Sequence, residues 1–303
     1  MQLLEPIHDD AVAVLADHCE VLGPSSEVVS DRIRQIEAVI VRGAVTVGDE
    51  MLAQLTALRV VARAGVGVDN IDLTSAAARG VGVVHVPHAL TETVAEHALA
   101  LALLLRRDIG GMAKATREGD SEARVRYAGD SIAGARVTVV GLGSIGQRTA
   151  GLFRALGADV STWSRGAGGD RQSLLAACSG ADVLSVHVAL NGETRGLIDA
   201  ECLDRLGAGA ALVNTARPAV VDRAAILGAL RSCQLGGYAV DGHNPVGPPE
   251  SDELLQHPRV IVTPHTAALT RRAFRELCLA TVGGVLGVLE GDEPRAPARL
   301  IHG

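Results

Sequence analysis

Residues 136–165 read RVTVVGLGSIGQRTAGLFRALGADVSTWSR. An apolar run comes first, then a turn carrying Gly141, Gly143 and Gly146, then a helix-forming stretch and a second apolar run ending at Trp163. The order strand, glycine turn, helix, strand is that of a dinucleotide-binding βαβ unit. The first glycine permits the tight turn, the second lets backbone approach a pyrophosphate, and the third lets the helix pack closely on the strand. Phosphate is then expected at the helix N-terminus, against Ser144 and Ile145, where unpaired N–H groups and the helix dipole favour negative charge.

The residues just past the second strand select among cofactors. An NAD site offers an Asp or Glu about 20 residues past the glycines to hold the ribose 2′-hydroxyl. Here Ser164 and Arg165 take that place, with Arg171 further on. A carboxylate repels a 2′-phosphate, whereas a hydroxyl and a guanidinium bind one through charge-assisted hydrogen bonds. The expected cofactor is therefore NADP, with NAD as the alternative.

At 303 residues, 48% hydrophobic and 21% charged, the chain has enough material for two domains with sizeable cores. Its formal net charge of −7, with no basic cluster, argues against a nucleic-acid surface. Cys19, Cys178, Cys202, Cys233 and Cys278 show no C-x-x-C spacing, and no His, Asp or Glu cluster has metal-ligand spacing, so no metal is expected. The same cysteine usage, with no signal-peptide pattern and no apolar run long enough to span a bilayer, predicts a cytoplasmic protein away from membranes.

Apolar runs at 38–42 (AVIVR), 60–64 (VVARA) and 83–86 (VVHV) predict a small parallel sheet before the glycine turn. Runs at 183–188 (VLSVHV), 211–214 (ALVN), 237–241 (GYAVD) and 260–263 (VIVT) continue the second sheet after it. Long helices are expected at 91–107 and 271–289, and a polar, irregular connector at 110–133. The fold class is thus α/β, two Rossmann-like doubly wound parallel-sheet domains. The expected substrate domain is discontinuous, 1–93 and 272–303, and the dinucleotide domain covers 94–271.

Three loops come after strands of the second sheet, where open α/β sheets bind ligands. They are 214–218 (NTARP), 241–245 (DGHNP) and 263–266 (TPHT). An arginine fork grips a carboxylate and a histidine moves a proton, which suits hydride transfer to or from a small acid.

With these motifs the chain resembles the D-isomer-specific 2-hydroxyacid dehydrogenases over nearly its whole length. The carrying stretches are ARAGVGVDNID (62–72), TVAEHALALAL (93–103), GLGSIG (141–146), HVALNGETRGLI (187–198), NTARPAVVDRAAILGAL (214–230), YAVD (238–241) and TPHTAALT (263–270). The resemblance implies Arg217 as the substrate-binding arginine, His265 as the acid/base, and Asp241 as the acid that holds the nicotinamide carboxamide. It implies that Val66 and Gly67 receive the substrate carboxylate on their backbone amides. It also implies that His187, Val188, Ala189, Thr194, Thr215 and Ala216 line the cofactor, alongside Arg217 and His265. Ser164-Arg165 is similar to the glyoxylate/hydroxypyruvate reductase branch, which uses NADPH. The family's members are usually homodimers, so a homodimer acting on a small 2-oxo or 2-hydroxy acid is expected.

The departures are specific. The family's glutamate, which hydrogen-bonds the catalytic histidine, falls at Val246, followed by Gly247. Asn244-Pro245 keeps the polar-then-proline order and is the expected stand-in, with His243 and Glu250 nearby. An amide orients an imidazole without stabilising its charged form as a carboxylate does. Reduction is thus expected to fade at lower pH than in relatives that keep the glutamate. Pro218 and Ala189 also replace the usual glycine and proline. Two further readings fit these changes: a nucleotide-sensing protein on the dehydrogenase fold, or a dehydrogenase for an unusual acid. Glu96 and His97 are expected to be structural, and Arg42 and Arg63 to follow first-domain strands near the cleft.

Overall fold

The computed structural model describes residues 1–24, 30–244, 246–292, 294 and 298–301. It divides into two compact units, Met1–Leu90 with Leu269–Gly303, and Thr91–Ala268.

In the first unit, β1 (Gln2–Leu3), β2 (Ala38–Val41), β3 (Val60–Arg63) and β4 (Gly82–His85) pair in parallel in that order. Leu22 makes a parallel bridge to Gln2 on the outer side of β1. That bridge completes a doubly wound pattern whose direction reverses between β1 and β2. The strands are apolar on both faces, as a sheet covered by helices requires. The helix Arg271–Glu290 buries Leu277, Cys278, Val282, Val285 and Leu286 here, and its Arg275 pairs with Asp10 on the helix Asp9–Ala16. Beyond it, Arg299–Ile301 adds an antiparallel edge strand to β4. The strands at Gln2–Leu3 and Arg299–Ile301 are too short to announce themselves in the sequence.

The second unit holds β5 (Arg136–Val140), β6 (Asp159–Trp163), β7 (Val183–Val186), β8 (Ala210–Asn214), β9 (Leu235–Asp241) and β10 (Val260–Thr263). All pairings are parallel, in the order β6-β5-β7-β8-β9-β10. The chain leaves β5 toward β6 and returns to β7 on the other side, so the topological switch point lies between β5 and β7. On one face Ala98, Leu101 and Ala102 of the helix Thr91–Arg106 pack with Val137, Val139, Val213 and Ala239. On the other, Trp163, Leu174, Ile198, Leu212, Ile226 and Tyr238 share a second core.

Two expectations need correction. The run 183–188 leaves the sheet at Val186, and His187 beyond it sets its ring nitrogens against the Ser185 and Thr215 hydroxyls. The connector 110–133 is not irregular: it forms the helices Ile109–Arg117 and Ala123–Arg126. The pair Gly110-Gly111 hides the first of these from propensity. Asp108 nucleates it by accepting the Gly111 N–H at 3.2 Å from a left-handed backbone, φ 42°.

Candidate active site

The glycine turn is built by close approach. Gly141 has φ +100°, and a Cβ there would sit 2.7 Å from the His187 carbonyl. A Cβ on Gly146 would lie 1.8 Å from the Gly141 oxygen, so the helix Ser144–Ala155 crosses hard against the turn. Gly143 differs: nothing lies within 4 Å of its Cβ position. It caps that helix without a side-chain hydrogen bond. The helix's first N–H groups, at Ser144 and Ile145, therefore have no intrahelical partner. An open glycine, free amides and a helix dipole at the switch point fit a pyrophosphate.

His187 closes the β7 side. Its Nε2 is 2.8 Å from the Ser185 hydroxyl and its Nδ1 3.2 Å from that of Thr215. Burial pushes the imidazole down to about 4. Past Val188 and Ala189 the chain forms a tight turn in which Asn191 Oδ1 accepts the N–H groups of Glu193 and Thr194 at 2.9 and 3.0 Å. Thr194 Oγ1 donates to the Ala189 carbonyl at 2.6 Å, which fixes the loop that runs beside the crevice.

At the end of β6, Ser164 is partly exposed, and Arg165 forms an ion pair with Glu193 across the crevice mouth. Arg171 does not belong to this group. Its guanidinium bonds both oxygens of Asp199 at 2.7 and 2.8 Å and Glu201 at 3.0 Å. The Asp199 bonds above all push its pKa up. It ties the helices Arg171–Cys178 and Ala200–Arg205 together, and the expectation that it helps hold a 2′-phosphate is corrected.

The loops after β8, β9 and β10 converge. Asn214 is buried; its side chain accepts the Ala216 N–H at 3.0 Å and donates to the Arg217 carbonyl at 2.9 Å. That clamp sets the extended backbone of Arg217 just before Pro218, and Thr215 lies buried beside it. A Cβ on Gly242 would lie 3.3 Å from His265 Nδ1 and 3.9 Å from Pro218 Cγ, so the three loops meet around this glycine.

His265 sits in the left-handed region at φ 55°, which is costly for a residue with a Cβ. Asp241, 3% exposed, holds it there. Its Oδ1 accepts from Thr263 Oγ1 at 2.6 Å and from the Thr266 N–H at 2.7 Å, and its Oδ2 from the Ala267 N–H at 2.9 Å. His265 Nδ1 faces the Asp241 backbone oxygen at 3.4 Å. A carbonyl only accepts, so Nδ1 carries the proton and Nε2 is the atom free to exchange one.

The region of the missing glutamate is built around Asp252, to which no sequence motif points. Val246 is 58% exposed, and its N–H donates to Asp252 at 3.2 Å. The Asp252 carboxylate also takes His243 Nε2 at 2.9 Å, Arg223 at 2.5 Å and the N–H groups of Leu254 and Leu255. Burial pushes this carboxyl up, but Arg223, the amides and His243 outweigh it and hold the group well below the usual carboxylate range. His243 is thereby committed to Asp252, and Asn244 is exposed, with no hydrogen bond to His265 among the described residues. Asn244 as the partner of His265 is corrected to the Asp241 carbonyl; Pro245 lies outside the described residues. The signal for Asp252 was its place as N-cap before Glu253-Leu254-Leu255.

In the N-terminal unit, the 65–68 loop after β3 carries Val66 and Gly67, and the Val66 oxygen lies 2.9 Å from His85 Nδ1. Arg63 turns back onto this loop, with Nη1 donating to the Ala64 oxygen at 3.0 Å. Arg42 stacks on Phe274, 4.7 Å from the ring centre. Among the described residues there is no helix long and apolar enough to cross a membrane, and no group of three or more His, Cys, Asp or Glu placed to hold a metal.

Residues 99–267 match the profile of the D-isomer specific 2-hydroxyacid dehydrogenase, NAD binding domain. A D-3-phosphoglycerate dehydrogenase of Mycobacterium leprae is 37% identical over 282 residues, 89% of this chain and 53% of the relative. One from Bacillus subtilis is 34% identical over 268 residues, 85% of this chain and 50% of the relative. The chain thus spans about half the length of the curated relatives it matches. The crystal structure of a Thermus thermophilus protein superposes with a TM-score of 0.87 at 31% identity, covering 97% of this chain and 98% of that one. With a profile match across most of the second unit and relatives above 30% identity over most of its length, the chain belongs to the D-isomer specific 2-hydroxyacid dehydrogenases, a family of oxidoreductases.

Proposed function

We propose that the chain transfers a hydride between NADP(H) and a small 2-oxo or 2-hydroxy acid. The observation that carries this is the meeting of the Arg217, Gly242 and His265 loops on the same sheet edge as the open Gly143 turn. Gly141, Gly143, Ser144, Ile145 and Gly146 would hold the pyrophosphate. His187, Val188, Ala189, Thr194, Thr215 and Ala216 would flank the rest of the dinucleotide, and the nicotinamide, when bound, supplies or takes the hydride. Arg217 grips the substrate carboxylate as a fork. His265 Nε2 gives a proton to the carbonyl oxygen in reduction and takes it from the hydroxyl in oxidation. Asp241 has one Oδ2 lone pair beyond its loop contacts, enough for a carboxamide N–H.

Preference for NADP(H) rests on Ser164 and Arg165 standing where an NAD enzyme keeps a carboxylate. The relatives' names put D-3-phosphoglycerate on the substrate panel, assayed as its oxidised 2-oxo acid together with dephosphorylated and branched 2-oxo analogues. We also infer a homodimer through the helices Ile109–Arg117 and Ala123–Arg126. They expose Ile109 (48%) and Val125 (80%), and Ile109, with Arg107, Met112, Ala113, Thr116 and Tyr127, lines a cavity of about 430 Å³. Steady-state NADPH oxidation with the acid panel tests the activity. A second reading, a cofactor-binding protein without turnover, is favoured by one observation: among the described residues no carboxylate contacts His265. Cofactor binding without oxidation of NADPH would select it.

A further inference from the structure

We propose that His97 and Thr263 are positioning residues for His265, acting through the Asp241 carboxylate; the inference rests on His265 being the acid/base.

The hydrogens in this chain of contacts can be assigned. Asp241 lies 2.6 Å from Thr263 Oγ1, and a carboxylate among three donors accepts, so the single Thr263 hydroxyl proton points at Asp241. Thr263 Oγ1 is then left only as an acceptor toward His97 Nε2, 3.2 Å away. His97 Nε2 therefore carries a proton, and donation runs His97 to Thr263 to Asp241. The same Nε2 lies 4.0 Å from Asp241 Oδ1.

The far end of the chain is a backbone held against its preference. Asp241 accepts the Thr266 and Ala267 N–H groups, the two residues that follow His265, while His265 itself has φ 55°. The His265 N–H folds back on the Thr263 carbonyl at 2.8 Å. The residue donating its hydroxyl to Asp241 thus also anchors the His265 backbone. A left-handed, non-glycine residue persists only where its surroundings over-determine it. Here the surroundings are the Asp241 carboxylate and the Thr263 carbonyl, and His97, on the helix Thr91–Arg106 outside the three site loops, reaches the carboxylate through the Thr263 hydroxyl.

This assigns a role to a residue that otherwise reads as structural. Hydrogen-bonded networks of this kind are cooperative, so loss of one member loosens the rest.

The test is Thr263→Val, which keeps the shape and deletes the hydroxyl, with Thr263→Ser as rescue, and His97→Leu with His97→Gln, whose amide N–H can take the place of Nε2, as its partner. NADPH affinity is read by fluorescence titration, and kcat and KM with the best acid of the panel. Expected are a fall in kcat of roughly tenfold for Thr263→Val and a few-fold for His97→Leu, with NADPH affinity within about twofold of wild type. Recovery of most of the loss is expected in Thr263→Ser and His97→Gln. The inference is overturned if Thr263→Val and His97→Leu keep wild-type kcat, or if the serine and glutamine variants are as impaired as the apolar ones. His265→Asn separates the underlying reading: full activity there refutes His265 as acid/base, while loss there with unaffected Thr263 and His97 variants refutes only the positioning role.

Discussion

Replacing His187 by glutamine removes a ring whose charged form the native protein is built to exclude. The ring is lodged beside Gly141 with both nitrogens on hydroxyls, and burial pushes its pKa down to about 4, against about 6.5 in an unfolded chain. Between those two values the unfolded chain binds a proton that the native protein refuses. Stability from the neutral ring is therefore complete above about pH 6.5 and is lost as pH falls toward 4. At pH 5 the full shift corresponds to about 2 kcal/mol, and the partial exposure of the residue reduces this to about 1–2 kcal/mol. For a domain of this size that is roughly 2–8 °C in Tm. Urea or thermal unfolding of wild type and His187→Gln, at pH 7.5 and pH 5.0 without cofactor, reads the difference. Wild type is expected to lose about 1–2 kcal/mol more than the variant between the two pH values. Parallel losses in the two proteins would show that His187 titrates normally and that the crevice is wetter than its geometry implies.

The glycine turn gives a contrast between neighbours. Gly143→Ala has open space for its methyl, so it is expected to leave Tm unchanged while weakening NADPH binding by roughly tenfold, about 1.4 kcal/mol. Gly146→Ala drives a methyl into the Gly141 carbonyl and is expected to lower both Tm and binding. Arg165→Ala is expected to raise the NADPH Kd roughly tenfold and to leave NADH unchanged, whereas Glu193→Gln, which releases Arg165, should tighten NADPH a few-fold. Equal effects on the two cofactors would refute selection by the 2′-phosphate. Charges placed in the apolar arm, as Ile109→Asp with Val125→Asp, are expected to shift sedimentation from dimer to monomer without loss of helical signal.

The sequence disclosed the fold because parallel strands buried on both faces are short apolar runs, and because a glycine turn has few structural meanings. Gly141, Gly143 and Gly146 stand in three different spaces, and each follows from the one-dimensional pattern. The connector went the other way: Gly110-Gly111 lowers helix propensity, and only the Asp108 cap, a single-residue device, restores it. At the site, Arg217 and His265 were legible as residues after strands. What holds them was not. The bond from His97 to Thr263 spans 166 residues, so nothing local records it. Asp252 was similarly hidden, since a carboxylate before two leucines reads as a helix cap until folding brings Arg223 and His243 onto it. Arg171 shows the converse error, in which a residue of suitable type and nearly suitable position is consumed by Asp199 and Glu201.

The central claim is that Arg217 and His265 turn a dinucleotide crevice into a reductase of small 2-oxo acids. Its most direct test is NADPH oxidation by wild type, Arg217→Lys and His265→Asn across the acid panel, each protein first shown to bind NADPH. The account predicts turnover by wild type with at least one acid. It predicts a raised KM in Arg217→Lys, where the bidentate fork is lost, and a kcat lower by roughly 10²–10⁴-fold in His265→Asn. Wild-type binding of NADPH with no oxidation on any acid, or a His265→Asn enzyme as fast as wild type, would contradict it.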